Sequence, residues 1–224
     1  MTPFGQGVWL ATSPVRIVGM QLVATMAVLR LGDGSLLVYS PVALTTERRA
    51  AVEALGRVAH LYAPSLYHDR WIGEWADAFP QARVHAPAAL ANKRKELRVE
   101  RTLGRAPEPA FPGVVDEVHI DGFRLDETVL MHRPSRTLVV ADLVHNVGRP
   151  EGGWARCYTR AMGFYDRVAL SRMIRRVGFS DRAAARKSLD AVFALPFDRL
   201  VVGHGAPLAT GAREALAAAY AWLS

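Results

Sequence analysis

Phe197-Asp198-Arg199-Leu200-Val201-Val202-Gly203-His204-Gly205-Ala206-Pro207-Leu208 carries the deciding pattern. Pro196 stops a helical stretch, and Leu200-Val201-Val202 is a short apolar run of the kind that forms a buried strand. The run hands over to a histidine between two glycines. Glycine accepts sharp backbone turns, so this loop can present the His204 imidazole at a strand's carboxyl end. Upstream, Arg136-Thr137-Leu138-Val139-Val140-Ala141 reads as a second buried strand that delivers Asp142, with His145 three residues on. A third strand, Ala59 to Ala63, is stopped by Pro64 and followed by Ser65-Leu66-Tyr67-His68-Asp69-Arg70-Trp71. Ligands in open α/β sheets gather at the carboxyl ends of the strands. Imidazole nitrogen and carboxylate oxygen together suit Zn²⁺ or a similar divalent ion.

Outward from these strand ends, the chain opens with strands at Gly7–Ala11 and Met20–Arg30. The turn Leu31-Gly32-Asp33-Gly34-Ser35 leads to a return strand, Leu36–Tyr39. Thr45 or Thr46 caps a helix whose apolar positions are Ala50, Val52, Leu55 and Val58. A helix over Trp71–Phe79 and a strand over Arg83–Ala86 follow. The charged stretch within Ala89–Arg105 reads as a solvated helix face, and Pro107–Pro112 as a loop. Strands are expected at Val114–Ile120 and Glu127–His132, and a Gly/Pro-rich loop at Asn146–Trp154. Helices are expected at Tyr165–Val177, at Asp181–Leu195 capped by Ser180, and at Gly211–Trp222. This two-half rhythm predicts two sheets packed together with helices outside, in a single domain over residues 1–224.

Composition bounds the function. The 224 residues are 50% hydrophobic and 22% charged, enough to bury a core and too apolar for a disordered chain. The single cysteine, Cys157, excludes an intrachain disulfide. The first residues have no basic segment followed by an apolar one, and no apolar run approaches the ~20 residues of a membrane span. The expected location is the cytoplasm. The net charge of +7 is nearly all arginine, since Lys93, Lys95 and Lys187 are the only lysines. It raises the question of an anionic partner. Acidic residues interleave the charged stretch and no aromatic residue sits in it to stack on bases, so nucleic acid is the weakest partner. No Gly-x-Ser-x-Gly elbow, Walker loop or dinucleotide fingerprint is present.

The element order, Asp142 after its buried strand and the Gly-His-Gly-Ala-Pro loop resemble the metallo-β-lactamase superfamily, and its DUF4336 branch in particular. The stretches at 36–42, 63–75, 132–146 and 197–208 carry the likeness. The resemblance implies a four-layer αβ/βα sandwich, two mixed sheets face to face with helices outside. Asp142 matches the family's bridging aspartate and His204 its last histidine ligand. The main cluster of the family, His-x-His-x-Asp-His, falls on Ser65 to Arg70. There Asp69 keeps the aspartate, while Ser65, Tyr67 and Arg70 replace histidines and His68 takes a spacer position. His119, His132 and Glu127 compete for one further ligand place. The resemblance implies a reduced set of His68, Asp69, Asp142 and His204 around one divalent metal, zinc first, with manganese and iron as alternatives. Asp69 and Asp142 would be catalytic, and Arg70, Tyr67 and His145 would bind a small-molecule, anionic substrate. Two other readings stay open: a metal-free binding module, in which Arg70 pairs with Asp142, and a nucleic-acid-processing protein.

Overall fold

The computed structural model describes residues 1–104, 106 and 108–223. The start of the expected Pro107–Pro112 loop therefore lies outside the described residues. The chain begins with β1 (Thr2–Gly5), β2 (Val8–Ile17), β3 (Met20–Arg30) and β4 (Leu36–Tyr39), which pair in sequence as an antiparallel meander. Helix α1 (Thr46–Glu53) then leads to β5 (Val58–Tyr62), and α2 (Ile72–Ala78) leads to β6 (Arg83–Ala86). After α3 (Ala88–Lys93) the short β7 (Arg101–Thr102) closes the run, with β4 to β7 all parallel. The first sheet thus has seven strands in sequence order.

The second sheet starts with β8 (Val115–His119), β9 (Thr128–His132) and β10 (Thr137–Val139). Helices α4 (Gly153–Met162), α5 (Arg172–Val177) and α6 (Arg182–Ala194) precede β11 (Arg199–Val201), and α7 (Ala212–Tyr220) ends the fold. The strand order is β11-β10-β9-β8, with β10 and β11 parallel and the rest antiparallel. Both sheets are mixed, as expected.

The period-2 alternation of strands sorts the core into layers. Ala27, Leu29, Leu37 and Tyr39 face the other sheet, where they meet Leu130, Val139 and Val201. Their neighbours Met26, Val28, Leu36 and Val38 face outward and pack on Val52, Ile72, Trp75 and Leu90 of the first three helices. In the second sheet Met131, Leu138 and Leu200 turn outward onto Leu189, Val192, Leu216 and Ala219 of α6 and α7. Both faces of each sheet are covered, which explains why the central strands read as continuous apolar runs.

Several boundaries differ from the sequence expectation. The first strand is ten residues long and has an additional partner, β1. Helix α1 ends at Glu53, so Val58 belongs to β5. The charged stretch stays helical only to Lys93, where Arg94 pairs with Asp69 and Glu96 instead of continuing the helix. The expected Tyr165–Val177 helix is confined to α5, capped by Ser171, whose hydroxyl accepts the Ile174 N–H. Asp181, not Ser180, caps α6 by accepting the Ala184 N–H at 2.9 Å. The expected Asn146–Trp154 loop gives way at Gly153 to helix α4, on which Cys157 is exposed. Among the described residues no helix is long and apolar enough to cross a membrane.

Candidate metal centre

Four strand ends meet at one edge of the sandwich. Ser40 follows β4, His68 lies in the loop after β5, Asp142 and His145 follow β10, and His204 follows β11. His68, Asp142 and His204 each offer one ligand atom, all within 4.8 Å of one another. Each of the three is at most 8% exposed.

Both histidines have one nitrogen engaged. His204 Nδ1 lies 2.9 Å from the Val23 carbonyl oxygen, to which it donates. His68 Nδ1 lies 2.7 Å from the Ser40 hydroxyl. The Nε2 atoms are left facing Asp142 Oδ1 at 3.5 Å for His68 and 3.8 Å for His204. Those separations are too long for hydrogen bonds. They match atoms that share one ion with bonds of about 2.0–2.2 Å. Outer partners that fix the tautomer, as Ser40 and Val23 do here, are the usual companions of ligating imidazoles.

The backbone explains why His204 needs a glycine on each side. A Cβ on Gly203 would lie 2.5 Å from His68 Cε1 and 2.6 Å from the Ala141 oxygen. Gly205 has φ +112, and a Cβ there would meet the Asn146 oxygen at 2.0 Å. Both glycines that flank His204 are thus required by close approach. On the other side, the Glu127 carboxylate is fully buried and accepts the Ala141 and Asp142 N–H groups at 2.8 Å each. This clamp fixes the turn from which Asp142 projects.

The electrostatics centre on Asp142. Burial pushes its carboxyl up, but the charge of His68, and then of His204 and His145, holds it well below the usual carboxylate range. Burial pushes His68 down, yet the Asp142 carboxylate outweighs that and leaves it above the ordinary histidine value. His204 is lowered by burial and by the His68 charge. Burial and the Asp142 charge raise Glu127 to about 7.

The remaining expected residues fall as follows. His145, expected to bind substrate, is buried. Its ring centroid is 5.9 Å from that of His204, and its Nδ1 has no hydrogen-bond partner among the described residues. Burial, with His204 and His68, pushes it down to about 4 against the pull of Asp142. Asp69 stands outside the three converging donors, because Arg94 holds its carboxylate at 3.1 Å. Arg70 lies over the Trp71 ring at 4.9 Å, so the expected Arg70–Asp142 pair does not form; the partners of Asp142 are the two histidines. Tyr67 is 70% exposed at the mouth of the adjoining cavity. His119 faces Asp121, Asp126 and Thr128, and His132 bonds Ser135 and the Arg30 carbonyl, both away from the site.

A second buried group escaped the sequence reading. His60, His85 and Glu108 also bring three ligand atoms together. His60 and His85 sit at alternating, inward positions of neighbouring strands, a signal the pattern contained. Here two arginines already answer the charge: Arg83 reaches Glu108 at 2.7 Å, and Arg101 reaches His85 Nδ1 at 3.3 Å. Arg101 also grips Glu117 through two nitrogens at 2.9 and 2.7 Å. We read this group as a buried polar network that braces the two sheets.

Comparison with known proteins agrees with this fold. The chain matches a metallo-beta-lactamase from Pontibacter korlensis with a TM-score of 0.68 at 14% identity, over 99% of this chain and 97% of that one. It matches the DIM-1 metallo-beta-lactamase exposed to ceftazidime with a TM-score of 0.67 at 14% identity, over 100% and 96%. The Flv1 flavodiiron core from Synechocystis sp. PCC6803 matches at 0.68 and 12% identity, over 99% of this chain and 60% of that one. The protein has the metallo-β-lactamase fold. Within it, residues 6–90 match the family model described as "Domain of unknown function (DUF4336)". No curated protein matches the chain.

Proposed function

We propose that this protein is a hydrolase holding one divalent ion at His68, Asp142 and His204. Zinc is the first choice, and manganese and iron are the alternatives. The single observation that carries the reading is the convergence of three buried donors from three strand ends, at separations outside hydrogen-bond range. The orphaned, buried His145 Nδ1 beside them supports it. A bound ion of this kind polarises a carbonyl or phosphoryl oxygen and lowers the pKa of water to about 7.

The chain's own groups do the rest. Asp142 stays ionised beside its histidines and supplies the negative charge that a cation needs. Ser40 and Val23 hold the two imidazoles with their Nε2 lone pairs inward. Arg70 and Tyr67 line the larger adjoining cavity, and His145 the smaller, where they would orient a small-molecule substrate. The apolar walls of the smaller cavity keep bulk water from that side of the reacting group.

A metal-free binding module is the second reading. It is favoured by Ser65, Tyr67 and Arg70, none of which joins the donor group. Elemental analysis of protein never exposed to chelator separates the two, with His204→Ala as control. Near-stoichiometric metal that the substitution removes is the expected result. Protein that takes up no zinc, manganese or iron would leave the binding module standing.

A further inference from the structure

Two chambers flank the Asp142–His204 edge, and their chemistry differs. The larger, about 350 Å³, contains Arg16, Tyr67, Arg70 and Trp71. The smaller, about 130 Å³, is walled by Leu22, Val147, Tyr158, Phe164 and Ile174. Ile17, Asp142 and His204 line both, so a single ligand that spans the two must pass directly over the candidate centre.

The larger chamber carries an uncompensated positive charge. The one carboxylate in its lining is Asp142, already flanked by His68 and His204. Arg16 and Arg70 are both exposed at its wall, and among the described residues neither has a carboxylate within ion-pair distance. Stacking on Trp71 holds the Arg70 guanidinium in place while leaving its N–H edge free to donate. Paired, planar donors of this kind suit a carboxylate or a phosphate.

The smaller chamber offers almost no polar partner. Apart from Asp142, His145 and His204 at the shared edge, Ser171 is its one hydroxylic residue besides the Tyr158 phenol, and its hydroxyl is engaged as the α5 cap. Its rim continues onto the surface through Val18 and Met173, both at least half exposed. The β2–β3 turn there is pinned to α4 by Trp154, whose indole N–H donates to the Val18 carbonyl at 2.9 Å. An exposed apolar rim around an apolar recess marks a binding surface more than a surface accident.

We propose that the cleft selects an amphiphilic anion, with an acyl or aryl group in the smaller chamber and a carboxylate or phosphate held between Arg16 and Arg70 in the larger. The bond that joins the two parts then lies over Asp142 and His204. This assignment rests on the hydrolase reading for bond cleavage, though not for binding. Cleavage would add water across an acyl bond, leaving the carboxylic acid on one side and the protonated leaving group on the other.

The test is calorimetric binding of N-octanoylglycine to the full chain, as purified and after chelation. N-octanoylglycinamide supplies the neutral head, octanoylcholine the cationic head and N-acetylglycine the missing chain. N-octanoyl-ethanolamine phosphate distinguishes a phosphate preference from a carboxylate one. The anionic amphiphiles are expected to bind about tenfold or more tighter than the neutral, cationic and short-chain compounds. Arg16→Glu and Arg70→Glu, both at exposed positions, should abolish the preference for the anion. Met173→Asp should abolish the preference for the chain. Equal binding of all heads, or no binding of any, overturns the proposal. Selective binding by protein that never takes up metal would leave this assignment intact while the hydrolase reading fails. Metal uptake without the preference would do the reverse.

Discussion

The Ser40 hydroxyl lies 2.7 Å from His68 Nδ1, and Ser40 adopts φ +50 to place it there. A non-glycine residue in the left-handed region costs about 1–2 kcal/mol, so local backbone stability is lost at the point where the imidazole is oriented. Strain of this kind is most often found at functional sites. Ser40→Ala and Ser40→Gly both remove the hydroxyl, while the glycine also relieves the strain. Both variants should bind metal about 10–100-fold more weakly, as losses of outer-shell partners generally do. Ser40→Gly should nonetheless melt higher than Ser40→Ala. Competition against a chromophoric chelator and thermal melts read the two effects separately. Unchanged affinity in both would remove Ser40 from the site.

Glu127 is a positioning residue. Its two oxygens accept the N–H groups of Ala141 and Asp142, while the Gly203 N–H donates to the Ala141 oxygen at 3.1 Å. Glu127→Gln keeps the shape but aims an amide NH₂ at one of those donors, leaving a buried N–H unsatisfied. The expected loss is about 1–3 kcal/mol of stability, together with weaker metal binding, because Asp142 is no longer fixed. Glu127→Ala should cost more in both. A variant as stable and as metal-competent as the parent would show that β10 alone places Asp142.

Much of this arrangement was legible in the sequence. Leu36–Tyr39 and Arg83–Ala86 are strands at the expected bounds, because apolar runs broken by Ser-Pro or Ala-Pro leave little choice. His68, Asp142 and His204 were nameable since each follows a strand, and strand ends collect ligands. Two kinds of information were missing. Side-chain direction in a loop is not encoded in spacing, so Asp69 read as a ligand although Arg94 holds it. Polar residues at inward positions looked like ordinary core or surface. His60, His85 and Glu108 form a network only because Glu108 lies back against Arg83 and Arg101. Helix α4 was hidden by the glycines before it, which mark a loop and equally start a helix.

The Arg101–Glu117 pair ties β7 of one sheet to β8 of the other through a two-bonded grip, with both side chains close to 10% exposed. Removing one partner of a buried pair leaves the other charge uncompensated. Arg101→Met should therefore cost about 3–5 kcal/mol, read as a drop in the urea midpoint. Adding Glu117→Leu should recover much of that loss, since apolar replacement of a whole buried pair is often neutral or better. Metal content should be unchanged in both, which separates this brace from the candidate centre. A single variant as stable as the parent would mean that the pair is solvated in solution.

Acid should unfold the protein through its buried network. His85 is pushed down to about 2 by burial, with further lowering from His60, Arg101 and Arg83, and His60 is lowered as well, chiefly by burial. The groups that face them are Tyr62 on β5, Arg83 on β6, Arg101 on β7, Glu108 in its loop and Glu117 on β8. In the unfolded chain these histidines titrate near 6.5. Between about 6.5 and 2 the unfolded state therefore binds more protons than the folded state, and stability falls as the pH falls. Each fully coupled group contributes at most about 1.4 kcal/mol per pH unit. Urea titrations from pH 7 to pH 4 should show this slope, and His85→Gln should reduce it by close to one proton's worth whatever it does to the midpoint at pH 7. A slope identical in parent and variant would show that His85 takes up its proton in the folded protein, and that the Arg101–His85–His60 ladder opens to admit it.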